Sequence, residues 1–256
     1  MSGIALWIPG PWKDRSEFVK AIASTDTGVI GAGGMLVEAA HQRHAMFELL
    51  DPNDNLTKEM FIGSGRSLDG ATLEAIEGHK SIAALLIPDT GEALVETLGV
   101  FTRAVRAAGG IAVKVHFSGL SHGWDRWESE LSAEQPAGLF RLLVVQVPDP
   151  EAGVVSSFGM KQFSLPDASV EDDGEGFDAA WVLFEFNIYL RAERSSLQDG
   201  HTFSRPIEGA PWYRLKHVSD GRYPEGHPLR QSARGLGADL CIGIRRTTKG
   251  PAHDFC

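Results

Sequence analysis

Cysteine is almost missing from this chain of 256 residues: Cys241 stands in a strand-like run and Cys256 is the last residue. Two thiols so placed argue against a disulfide framework or a cysteine metal cluster, and a small core hydrophobe and a frayed terminus are the expected roles. Long apolar runs are missing too. The longest, such as SIAALLIP at 81–88, fall far short of the roughly 20 residues that cross a bilayer, and the first residues lack the basic-then-apolar layout of a signal peptide. A cytoplasmic protein without a membrane partner is expected. Positive charge is in deficit: 24 Lys and Arg face 34 Asp and Glu, a net charge of −10. This argues against nucleic acid as a principal partner, because phosphate neutralisation needs clustered cations. Also absent are HExxH, Cys-His, GxGxxG and Walker spacings, so no cofactor is expected.

What remains is a chain with 43% hydrophobic residues, enough for a sizeable core, and an uneven distribution of charge. Residues 205–256 hold nine Lys and Arg against five Asp and Glu, so the acidic excess lies in the body before them. An acidic body can meet a basic protein partner or act as a solvated surface.

The stretch LWIPGPWKDRSEF at 6–18 runs from an apolar strand, Ile4 to Ile8, through Pro9-Gly10-Pro11 into a helix. Asp14 and Glu17 have capping-box spacing, and Phe18, Val19, Ile22 and Ala23 make one apolar face. Such a junction is either an anion cradle or a rigid corner. With Asp14 at the helix N-terminus, the corner is preferred.

Strand-like runs follow at Val29 to Val37 and Ala45 to Leu50, the second leading into the turn DPNDN. Met60 to Ile62 is expected to pair with them as a further strand, and Leu68 to His79 to form a short helix from Asp69. The AGGM run at 32–35 is expected to be a bulge or a close approach of backbones. The clearest unit is 81–117. A buried strand at 81–87 precedes Asp89 and Glu92 at capping-box spacing, then Leu94, Leu98, Phe101 and Val105 at helical intervals, a stop at Gly109-Gly110, and the strand IAVKVHF. This is a β-α-β crossover, with the strands at 81–87 and 111–117 parallel in one sheet.

Further on, 139–147 (LFRLLVVQV) is expected as a buried strand, and 153–165 as a strand interrupted at Gly159. Residues 178–196 alternate in part like a strand, yet run without Gly or Pro, and helix is preferred. Trp212 to Val218 and Leu240 to Ile244 are closing strands around a loop rich in Gly, Pro and Arg.

Three constellations are candidates for chemistry. Glu38, His41 and His44 have a three-residue spacing that, on a helix, would offer a metal two imidazoles and a carboxylate. The segment SGLSHGWDRWESEL at 118–131 places His122 and Asp125 beyond a strand end, where α/β sheets tend to bind ligands. The alternative there is a short helix packed by Trp124 and Trp127 and capped by Ser121 or Asp125. QDGHTFSRP at 198–206 places Asp199 beside His201, a candidate general base or an exposed turn residue.

The order of four marks resembles a bacterial family, the domain of unknown function 4261. They are PGPW at 9–12, His79-Lys80 before the strand at 81–87, SFGMKQFSLPD at 157–167 and DGHTF at 199–203. Ser164 stands where the family pattern is expected to have glycine. The resemblance implies an α+β domain and a helix over 178–196, and it implies no activity, cofactor or catalytic residue. Bacterial families of this kind include immunity and interaction proteins of toxin systems.

The expected architecture is α+β: a mixed β-sheet with helices at 14–24, 91–108 and 178–196 packed on it. It forms a single domain over 1–256 or two similar strand-helix-strand halves, 1–135 and 136–218, with a basic segment 219–256. The preferred function is a non-catalytic, immunity-like module binding a basic protein partner. An enzyme or sensor joining His122 and Asp125 to Asp199 and His201 is the first alternative, and a structural subunit of a larger complex is the second.

Overall fold

Hydrophobic alternation and helical spacing resolve into an α+β protein in the computed structural model, which describes residues 3–88, 91–171, 179–193, 197–219 and 240–247. The chain divides into two compact units, Met1–Leu143 and Val144–Cys256. Asp89, Asp178, the loop at 220–239 and Cys256 lie outside the described residues, as does the side chain of Cys241.

The first unit runs β1 (Gly3–Gly10), α1 (Arg15–Ala23), β2 (Val29–Ala32), β3 (Met35–Glu38), β4 (Arg43–Leu50), α2 (Leu56–Gly63) and α3 (Gly70–Glu77). It continues β5 (Ser81–Pro88), α4 (Leu94–Ala107), β6 (Val113–Val115), β7 (Ser121–His122), α5 (Trp124–Ser132) and α6 (Ala137–Leu143). Its seven strands are ordered β2-β3-β4-β5-β1-β6-β7, every neighbour antiparallel. The strands β5 and β6 share a sheet and a direction, as expected, but β1 lies between them and pairs with both. The α4 crossover therefore skips one strand.

Period-2 alternation sends Ile4, Leu6 and Ile8 of β1, with Leu85 and Ile87 of β5, to one face. The core there also holds Phe18 and Ile22 of α1 and Leu98, Phe101 and Val105 of α4, all fully buried. The opposite face is covered by a second core, in which Trp7 and Leu50 pack against Leu56, Met60, Leu68 and Ile76 from α2, α3 and the loop between them. Where that cover ends, Ile30, Met35 and Met46 of β2, β3 and β4 are exposed.

Three local expectations are corrected. Met60 to Ile62 is not a strand but the end of α2. Leu56 and Met60 are one helical turn apart and both buried, while Ile62 points to solvent, so the apolar triplet was part of a 3.6-residue period. Residues 139–147 are split: α6 takes Leu139, Phe140, Leu142 and Leu143, all buried, and a strand begins only at Val145. A short run in which Arg141 alone is exposed carries too little period to separate helix from strand. The helix α5 starts behind Gly123 without a side-chain cap, so neither Ser121, which lies in β7, nor Asp125 caps it.

The second unit comprises β8 (Val145–Asp149), β9 (Val154–Phe158), β10 (Asp167–Glu171), α7 (Ala179–Glu193), β11 (Thr202–Ser204), β12 (Trp212–Ser219) and β13 (Leu240–Thr247). Its sheet is mixed, ordered β11-β12-β13-β10-β9-β8, with only β10 and β13 parallel. The segment that looked ambiguous is helix α7, which lays Val182, Leu183, Phe186 and Leu190 on the sheet. The Phe186 ring meets Phe203 of β11 edge-on at 5.2 Å. Gly159 breaks the strand after β9 with φ of 119°, and a short 3-10 turn ends at Ser164, whose φ is 58°.

Candidate functional site

The junction PGPW is a corner. The indole of Trp12 donates to the carbonyl of Ala108 at 2.8 Å, satisfying an otherwise unpaired acceptor at the C-terminus of α4, and its ring lies edge-on to Phe18 at 4.8 Å. A Cβ at Gly10 would sit 2.2 Å from that ring, so only glycine lets the chain turn there. Asp14 Oδ1 accepts the Glu17 N–H at 2.9 Å, while Glu17 reaches back to the Lys13 N–H at 2.8 Å, one residue earlier than a regular capping box. Beside this helix start lies a cleft of about 360 Å3 in which Lys13, Arg15 and Lys80 alternate with Asp14, Glu48 and Asp51. Three cations against three carboxylates give no net field for an anion.

The run AGGM is a tight hairpin turn: Ala32 pairs with Met35, and Gly33 and Gly34 take φ of 56° and 85°. This hairpin decides the geometry of Glu38, His41 and His44. Glu38, paired with Arg43, shares the face of Leu36 and Ala45, whereas His44, opposite Val37, is exposed on the other face. The Glu38 carboxylate instead takes the His41 Nδ1 at 2.7 Å and the Arg43 guanidinium at 3.4 Å. The His41 hydrogen bond, helped by the charge of Arg43, holds that carboxyl below the usual range. Among the described residues, no group of three His, Cys, Asp or Glu is arranged to hold a metal ion.

His122 is a core histidine of the first unit, 1% exposed. Its Nε2 lies 2.9 Å from the carbonyl of Leu142, which can only accept, so Nε2 carries the hydrogen. The ring packs 5.9 Å from Trp127, Nδ1 has no partner, and burial pushes the pKa down to about 4. Asp125 is fully exposed and lies 3.7 Å from Arg106; it does not orient His122. In the second unit, Asp199 Oδ1 accepts the backbone N–H of His217 at 2.6 Å and lies 2.9 Å from its ring Nδ1. Those bonds lower the Asp199 pKa. The carboxylate is thus spent on His217, while His201 Nδ1 receives the Gln198 N–H at 3.3 Å. Neither pair has the contact that an acid-base dyad requires.

Two features carry no sequence motif. Lys114 lies on the polar side of an alternating strand, yet it is buried there: it pairs with Glu59 of α2 and lies 5.1 Å from the Trp7 ring centroid, whereas His116, just beyond the end of β6, reaches solvent with its ring 4.7 Å from that of Trp7. Burial, with the neighbouring Lys114 charge, lowers the His116 pKa. The second is a groove of about 430 Å3 between α4 and α5. Glu92, Glu96 and Glu128 rim it together with Arg103, and Val95, Gly99 and Leu131 supply its apolar lining beside Thr102 and Ser132. Glu96 holds Arg43 at 2.5 Å and Glu128 holds Arg106 at 2.6 Å, while Glu92 is exposed and has no ion-pair partner among the described residues. Helical spacing explains the rim: Glu92 and Glu96 are four residues apart along one side of α4 and the turn before it. No sequence motif marks it, because the carboxylates come from α4, the turn before it and α5, which meet only in the fold.

No family model, curated protein or solved structure matches the chain. Among the described residues, no helix is long and apolar enough to cross a membrane.

Proposed function

We propose that the protein is a non-catalytic binding module, and that the groove between α4 and α5 takes an arginine- or lysine-bearing segment of a basic protein partner. The observation that carries this is the pairing, in one groove of about 430 Å3, of a carboxylate rim with an apolar lining. A long basic side chain is amphipathic. Its methylene stem lies on Val95 and Leu131, and its charged head reaches the carboxylate of Glu92, the rim carboxylate without an ion-pair partner among the described residues. The acidic excess of the body ahead of residue 205 steers such a partner in from a distance. An immunity-like role, in which a basic partner is neutralised by occupancy, is the specific form of this reading. The marks shared with the domain of unknown function 4261 family bring no activity that would compete with it.

The test is a pulldown from the source cell at physiological salt, with wild type beside a Glu92→Gln, Glu96→Gln, Glu128→Gln variant. A basic protein retained by the wild type and lost by the variant is the expected result. Retention of no partner, or equal retention by both, overturns the proposal.

A further inference from the structure

Alternation along β11, β12 and β13 divides the second unit's sheet into two unlike faces. Phe203, Tyr213, Leu215, Ile242 and Ile244 are buried on the α7 side. The opposite side presents Trp212, Arg214 and Lys216 from β12, Arg245 and Thr247 from β13, and Thr202 and Ser204 from β11. Arg214 and Lys216 are exposed and have no ion-pair partner among the described residues. Arg245 meets Glu171 at 2.8 Å.

Register makes this face informative. Arg214 stands directly opposite Arg245, and like charges in that position repel. Among the described residues, Glu171 pairs with one of these three cations and leaves Arg214 and Lys216 without an ion-pair partner, in a chain whose net charge is −10. Trp212 sits at the end of the same row, opposite Ser204 and Thr247, with over a third of its surface exposed. Arg214 and Lys216 lie two residues apart along an extended strand, about 7 Å at the ~3.4 Å rise of an antiparallel strand.

We propose that this open sheet face binds single-stranded nucleic acid. Cations spaced along a strand track successive phosphates, the exposed indole is a platform for an unstacked base, and flanking hydroxyls reach base edges or sugars. Among the described residues of these three strands, Trp212 is the one large aromatic side chain on this face, which offers little to the apolar anchor of a protein partner. The whole-chain charge, which argued against nucleic acid, averages over this local surplus.

Fluorescence anisotropy with labelled oligothymidylate and oligouridylate tests the proposal on the full chain. The expected result is salt-dependent binding of either probe, weakened about tenfold or more by Trp212→Ala and largely retained by Trp212→Phe. In the Arg214→Gln, Lys216→Gln variant, the slope of log K against log salt falls by about 1.4, the ~0.7 per phosphate contact expected for single strands. Melting temperature checks that each variant is folded. Where an alanine variant does not fold, the glutamine pair and the phenylalanine variant decide. The proposal is overturned by absent binding at low salt, by equal binding in the glutamine variant, or by equal affinity for duplex DNA or heparin. Preference for vesicles of phosphatidylserine and phosphatidylcholine over both probes also overturns it.

Discussion

His122 donates its Nε2 hydrogen to the Leu142 carbonyl at 2.9 Å, joining β7 to α6 through a ring whose other nitrogen has no partner. A proton on Nδ1 would be buried without an acceptor, so folding holds the imidazole neutral. Burial lowers the folded pKa to about 4 from an ordinary 6.5; Glu130, Arg126 and the Leu142 bond act on it more weakly. Between those values the unfolded chain binds a proton that the folded chain refuses, and stability rises with pH. The contribution is therefore fully present above about pH 6.5 and lost as pH falls toward 4, a swing of roughly 3 kcal/mol. Urea unfolding of wild type and His122→Gln across this range measures it. A difference between them that stays constant with pH would falsify the assignment.

Gly63 closes α2 against the loop before β7, where a Cβ would lie 2.0 Å from the Gly119 carbonyl oxygen and 3.0 Å from Ser121 Oγ. Backbone cannot give way as a side-chain tip does. Gly63→Ala is expected to lose about 1–3 kcal/mol despite the better helix propensity of alanine. Thermal melting of the variant beside Gly70→Ala, where nothing lies within 4 Å, separates crowding from propensity.

How far the fold was legible follows from the kind of signal each element carried. The helix α1 announced itself through Asp14, Glu17 and the Phe18-Ile22 face, and α3 through Asp69, whose carboxylate accepts the Thr72 N–H at 2.7 Å. Caps and periods are local, so sequence displays them. The helices α2 and α6 were hidden because one keeps only two buried positions and the other is seven residues long with Arg141 as its one exposed position. The consequence spread to chemistry. Without α2, Lys114 of β6 looked open to water, and its pair with Glu59 was invisible. Histidine spacing misled for a related reason: Glu38, His41 and His44 fall on a hairpin, where a three-residue step reverses the face instead of preserving it. The interruption at Gly159 was legible because its φ of 119° is a conformation that glycine adopts without strain.

Ser164 is the counterpart of Gly159 at the other end of the same 3-10 turn. It holds φ 58° and ψ 32°, a left-handed conformation in which a Cβ crowds the following carbonyl at a cost of roughly 1–2 kcal/mol. Its side chain is exposed, so little packing is lost with it. Glycine gives back part of that gain through the greater freedom of its unfolded state. Ser164→Gly is expected to stabilise the protein by about 0.5–1 kcal/mol, read as a rise in melting temperature. A fall would mean that the hydroxyl contributes more than the backbone strain costs.

The two partners of the Lys114-Glu59 pair are unequally exposed, and this sets the order of their variants. Lys114 keeps about a tenth of its side-chain surface, whereas Glu59 keeps nearly half. Lys114→Met removes the buried charge, leaves an apolar stem of similar length on Trp7, and frees Glu59 into water that already reaches it. The expected loss is about 1 kcal/mol or less. Glu59→Gln removes the countercharge and leaves the ammonium, covered by α2, with an amide oxygen and the Trp7 ring, and the expected loss is roughly 2 kcal/mol. Urea midpoints at neutral pH rank the two. If Glu59→Gln were the milder substitution, Lys114 would have to find water or another acceptor beneath α2, and the pair would not be what holds that helix to the sheet.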